Sequence, residues 1–202
     1  MFSAALHGFV LALGLILPLG VQNVFVFNQG ATHRSFARAL PVILTASVAD
    51  STLILLAVLG ISALVLAFEW VRIVLLIGGI IFLVYIGWIT WNTKIDNSDD
   101  YNSATLWPIR RQIVLTLSLS FFNPHAIIDT VGVIGTSSLS YGGTEQIAFV
   151  VTCIGVSWLW FFALAMAGRF VGSFQGVRRV LNRVSAIIMW LSSGYLLYQL
   201  FV

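Results

Sequence analysis

The sequence predicts an all-α integral membrane protein of about six transmembrane helices, arranged as two inverted three-helix repeats. Three observations carry that prediction. The composition is 59% hydrophobic and only 8% charged, against roughly 45–50% and 25% in a soluble domain. The mean hydropathy of +1.01 is an average over the whole chain, so the apolar excess cannot come from a single anchor on a globular body. Finally, the only extended polar stretch divides the apolar runs three and three.

Each run is long enough to cross a bilayer, which takes about 20 residues at ~1.5 Å rise. They extend from Ala4 to Phe27, Pro41 to Ala67, Ile73 to Trp91, Ile113 to Gly135, Gln146 to Gly168 and Val184 to Phe201. A transmembrane β-barrel would show short alternating segments instead. The first run lacks a basic region before it and is interrupted at Pro18, so it reads as a retained helix rather than a secretory signal. Cys153 is the single cysteine, which excludes an internal disulfide and a thiolate metal cluster.

The charges set the expected topology. Arg34 and Arg38 follow the first run, Lys94, Arg110 and Arg111 the third, and Arg169, Arg178, Arg179 and Arg183 the fifth; Arg72, after the second, is the exception. Basic residues mark cytoplasmic connections, so both termini are expected outside. These arginines are topology signals and imply no nucleic-acid partner.

The polar stretch gives a first repeat over residues 1–92, a cytoplasmic linker over 93–112 containing Asp96, Asp99 and Asp100, and a second repeat over 113–202. Three spans per half force opposite orientations, which is the arithmetic of an inverted repeat. Such architectures interrupt corresponding helices where freed backbone groups meet a substrate. Pro18-Leu19-Gly20-Val21-Gln22-Asn23 interrupts the opening helix of the first half, and Asn123-Pro124-His125 that of the second. Proline removes a backbone donor and clashes with the preceding turn, and the freed groups must be satisfied by protein, water or ligand. Pro18, Gln22, Asn23, Asn123 and Pro124 are therefore the expected lining of a binding site.

Two carboxylates fall inside the apolar runs. Asp50 lies about nine residues into the second, some 13 Å deep at ~1.5 Å per residue, and Asp129 follows Pro124 within the fourth. Glu69, Asp96, Asp99, Asp100 and Glu145 fall at helix ends or in loops. A charged aspartate at the bilayer centre costs on the order of 2.5–3.5 kcal/mol even on the lenient insertion scale. No lysine or arginine lies within the runs to offset it. A cationic substrate, a proton, or both would supply the missing counter-charge; the competing explanation is hydrogen bonding to Ser47, Ser51, Thr52 or Thr130. His125, beside the interruption, is a candidate proton relay together with the two aspartates, or else a simple donor to a freed carbonyl. His7 and His33 have no partner at ligand spacing, so no metal is expected. The lone lysine, Lys94, lacks a glycine-rich lead, which excludes a phosphate-cradling loop. With no nucleophile–base pair in the spans, an enzyme is not expected either, and no cofactor is implied.

These motifs together resemble one family. Pro18-Leu19-Gly20-Val21-Gln22-Asn23 followed by Asn28-Gln29-Gly30, and Asn123-Pro124-His125 followed by Asp129-Thr130, resemble the LysE-type lysine and arginine exporters over nearly the whole chain. The resemblance implies a secondary exporter of small cationic amino acids in the bacterial inner membrane, driven by protons or membrane potential, and a homodimer. It also assigns Asp50 and Asp129 to the substrate. Where the family's first motif usually has a second proline, this chain has Val21, which restores a backbone donor. Related branches carry neutral amino acids or other small solutes, and a passive cation-selective channel would use the same acids.

Overall fold

A computed structural model describes residues 1–17, 20–32, 35–60, 68–92, 108–172 and 177–201. Among these the chain is helical, without strands. Helices α1 (Phe2–Ile16) and α2 (Val21–Thr32) open it, and a 3-10 turn at Phe36–Arg38 leads into α3 (Leu40–Val58). Helices α4 (Glu69–Trp91), α5 (Ile109–Phe121) and α6 (Pro124–Asp129) follow. A π-helical turn over Thr130–Gly135 then leads to α7 (Thr136–Ser138), α8 (Gly143–Gly172) and α9 (Val177–Phe201).

The first expected span is two helices whose axes differ by 79°. The bend survives because its freed polar groups find partners: Asn23 Nδ2 donates to the Ile16 carbonyl at 2.7 Å across the interruption. The fourth expected span is divided too. Asn123 is extended at φ −96°, ψ 95°, the conformation that a following proline imposes on its neighbour, and Pro124 then starts α6 where no amide donor is needed. Pro18, His33, Arg34, Lys94 and the linker acids lie outside the described residues, while Pro124 and His125 are placed by their backbone alone.

By length and apolar character, three helical stretches among the described residues can each cross a membrane: Leu40–Val58, Gly143–Gly172 and Val180–Tyr198. The bent pair α1–α2 makes a broken fourth. Helix α5 has 13 residues and α6 six, too short to cross singly at ~1.5 Å per residue.

Helix α8 is the centre of the packing, with α1, α2 and α3 against it. Helix α3 also packs on α5 and on the π-helical turn, and α4 pairs with α9. Glycines set the closest approaches. A Cβ on Gly30 would strike the Ala165 carbonyl, one on Gly168 the Phe27 carbonyl, and one on Gly172 the Ala31 carbonyl. Small residues let helix backbones touch directly, and here they seat α2 on the C-terminal half of α8. Gly8 seats α1 further up, its Cβ position only 2.7 Å from the Phe149 carbonyl.

Large apolar side chains cover the outside, among them Trp70, Ile81 and Trp88 on α4, Leu159, Met166 and Phe170 on α8, and Leu191 and Tyr198 on α9. Water could not solvate such a coat at low cost, at roughly 25 cal/mol per Å² of apolar surface. The Met1 ammonium meets Glu145 at 2.7 Å and His7 Nδ1 meets the Tyr141 hydroxyl at 2.9 Å, while Arg183 stacks over the Trp91 ring at 5.6 Å.

Candidate substrate cavity

Both interruptions open onto one hollow. A cavity of about 440 Å³ is lined by Leu15, Ile16, Gly20, Val21, Gln22 and Asn23 from the first, and by Asn123, Ala126, Asp129 and Thr130 from the second. Asp50 of α3 and Ser157 of α8 complete the polar wall, with Ser192 and Tyr195 of α9. Ile54, Leu83, Ile134, Phe161, Leu191 and Leu196 supply an apolar one. Mostly apolar walls with a few convergent polar groups, in about 300–1,000 Å³, are typical of small-molecule sites.

The six expected lining residues that can be tested by side chain or by backbone divide as follows. Asp50, Asp129, Gln22, Asn23 and Asn123 meet in this cavity; Pro124 begins the helix that delivers Asp129. The Asn123 side chain caps that helix, accepting from the Ala126 amide at 3.5 Å, a long bond that holds α6 lightly.

Asp50 is held by a group the sequence reading did not name. Ser157 Oγ donates to Asp50 Oδ2, and one turn of the same crossing brings Trp158 Nε1 to Ser51 Oγ at 3.0 Å. Two of the four hydroxyls expected as alternative partners turn back onto their own helix: Ser51 donates to the Ser47 carbonyl at 2.6 Å and Thr52 to that of Val48 at 2.8 Å. Helix α3 packs across α8, so the partner that reaches Asp50 comes from far along the chain. A hydroxyl donor stabilises a carboxylate without neutralising it.

Asp129 closes α6 and stands where the backbone widens into the π-helical turn. Single π turns inside α-helices concentrate at functional sites because the extra residue re-aims the side chains around it. Here the widened stretch packs on α3, with Gly135 so close to Ala57 that a Cβ would lie 3.1 Å from its carbonyl. Among the described residues lining the cavity there is no lysine or arginine.

A family profile described as LysE type translocator matches residues 13–200. The chain belongs to the LysE-type translocator family. The match spans both interruptions, Asp50 and Asp129, and the family is one of transporters, not enzymes. Among curated LysE-type relatives, YisU of Bacillus subtilis (strain 168), named as a candidate amino-acid transporter, is 47% identical over 98% of this chain and 91% of its own length. The arginine exporter protein ArgO of Pectobacterium carotovorum subsp. carotovorum (strain PC1) is 32% identical over 94% of each chain. ArgO of Escherichia coli (strain K12) is 31% identical over 94% of this chain and 91% of its own. No solved structure matches. With its apolar helices, the family makes this a multi-pass membrane protein of the transporter class.

Proposed function

We propose that this chain is a secondary active exporter of basic amino acids, lysine or arginine, coupled to protons or to the membrane potential of the bacterial inner membrane. The observation that carries the reading is the convergence of Asp50 and Asp129, from opposite halves of the sequence, on one cavity whose described lining holds no basic side chain. An ammonium or guanidinium group is drawn to carboxylates set in such a wall. When the cation leaves, a proton on either aspartate takes its place, and that exchange is the coupling step. The names of the ArgO relatives point to the same substrate class.

A six-crossing inverted repeat supplies the frame for alternating access. Its support is the reciprocal packing of the two halves: α8 of the second lies on the broken α1–α2 of the first, α3 of the first lies on α5 and the π turn of the second, and the two third helices, α4 and α9, pair. Contacts between ends fit the same count of crossings. Met1 with Glu145 belongs to connections expected outside, and Trp91 with Arg183 to connections expected in the cytoplasm. In this arrangement both termini face outward, and one half rocks against the other around the fixed acids.

The test is export from reconstituted vesicles loaded with arginine or lysine. Removing one charge from a buried ionic contact costs about 2–5 kcal/mol, so Asp50→Asn and Asp129→Asn should each lower export at least roughly thirtyfold while the protein remains inserted. Normal export by both variants would overturn the reading. Uphill movement abolished by a protonophore supports coupling, whereas flux that only ever runs downhill would make the cavity a pore.

A further inference from the structure

Among the described residues, the cavity wall contains a buried donor for which no acceptor is supplied. Gln22 is the second residue of α2, 8% exposed, and lines the cavity; its buried Nε2 has no hydrogen-bond partner among the described residues. A group left in that condition is costly, because its lost hydration is not replaced. A ligand acceptor in the cavity would replace it.

The backbone around Gln22 points to the same ligand chemistry. The first-turn amides of a helix have no acceptors one turn earlier, and the aligned peptide dipoles leave that end partly positive. Gly20, Val21, Gln22 and Asn23 all line the cavity, so the first turn of this 12-residue helix is presented to the occupant. At the opposite pole of the interruption Asn23 Nδ2 donates to the Ile16 carbonyl, which occupies one of the acceptors there. The first turn of α2 therefore adds donors to the cavity beside the Gln22 amide.

We infer that Gln22 and the first turn of α2 bind the carboxylate of the transported molecule, so that the site reads both poles of an amino acid and rejects the corresponding amine that lacks a carboxylate. This rests on the reading of the cavity as an amino-acid site. The terminal torsion of a glutamine is soft, so the amide swings its NH2 group toward an entering carboxylate. An uncharged donor suits this place. A lysine or arginine there would pair with Asp50 and Asp129 and occupy the site itself.

The experiment compares matched pairs in reconstituted vesicles, arginine with agmatine and leucine with isoamylamine, so that the outcome does not depend on the side chain carried. A hydrogen bond to a charged group is worth about 1.5–3 kcal/mol, or roughly ten- to hundredfold in affinity. The wild-type chain should prefer the acid of the transported pair over its amine by about that factor. Gln22→Leu should lower transport of the acid and leave the amine, collapsing the ratio. Gln22→Glu, which sets a charge against the carboxylate, should turn the preference toward the amine. Because acid and amine are compared in the same vesicles, the ratio is independent of how much variant inserts. A wild-type preference retained in both variants overturns the inference while leaving the exporter reading standing. Wild-type vesicles that move neither member of either pair overturn both.

Discussion

The two interrupted helices occupy the same place in their halves, but they solve the problem of a broken backbone differently. Between α1 and α2 the axis turns by 79°, and a side chain from beyond the break, Asn23, reaches back to the carbonyl end at 2.7 Å. Between α5 and α6 a lighter cap by Asn123 at 3.5 Å starts a short helix, which ends at Asp129 and widens into a π turn. The first break brings Gln22 and Asn23 to the cavity and the second brings Asp129. On the proposed reading, these two breaks supply the opposite poles that a zwitterionic substrate requires.

That contrast can be broken at its supports. The largest effect is expected at Gly168, which seats α2 on α8 through direct contact with the Phe27 backbone. Gly168→Leu should cost more than the ~1–3 kcal/mol of ordinary overpacking, because a helix backbone cannot rotate away as a side chain does. The check is the amount of membrane-inserted protein and its elution as a single species in detergent; normal yield would mean that α2 is not seated there. Smaller and ordered effects are expected at the two asparagines. Asn23→Ala leaves the Ile16 carbonyl without its Nδ2 partner and should lower stability by about 1–3 kcal/mol. Asn123→Ala removes a long N-cap bond and should cost about 0.5–1 kcal/mol. Thermal unfolding of the two variants side by side in detergent reads the order, and a larger loss at Asn123 would reverse the assignment of the tighter break.

Much of this site was legible because prolines and charges in apolar surroundings have few inexpensive explanations. Pro124 forced the conformation of Asn123 through local sterics alone, and Asp50 and Asp129 stood out as charges in runs that lipid must cover. The helical class followed from run length. The bend between α1 and α2 was harder to read, since an interruption does not state its angle; the angle depends on how two glycine-lined helices settle on α8. The same limit hid Ser157. A serine in a helix as apolar as α8 usually bonds its own preceding turn, and only the crossing of α3 over α8 turns it to Asp50. Ser192 and Tyr195 reach the cavity for an equally non-local reason, the docking of α9. The π turn left no sequence mark, because Thr130–Gly135 contains nothing that an ordinary helix would refuse.

The glycine seats between α2 and α8 have a consequence for motion. With carbonyls of one helix lying where side chains of the other would stand, there is no cushion of rotatable groups to absorb sliding, and the two must travel as one rigid lever. Whatever gate admits or releases cargo is then worked by other elements swinging past this lever. Spin labels at the exposed positions Thr32 and Phe170 should keep one separation through the whole transport cycle, and a second distance appearing when substrate is added would show the lever to be jointed.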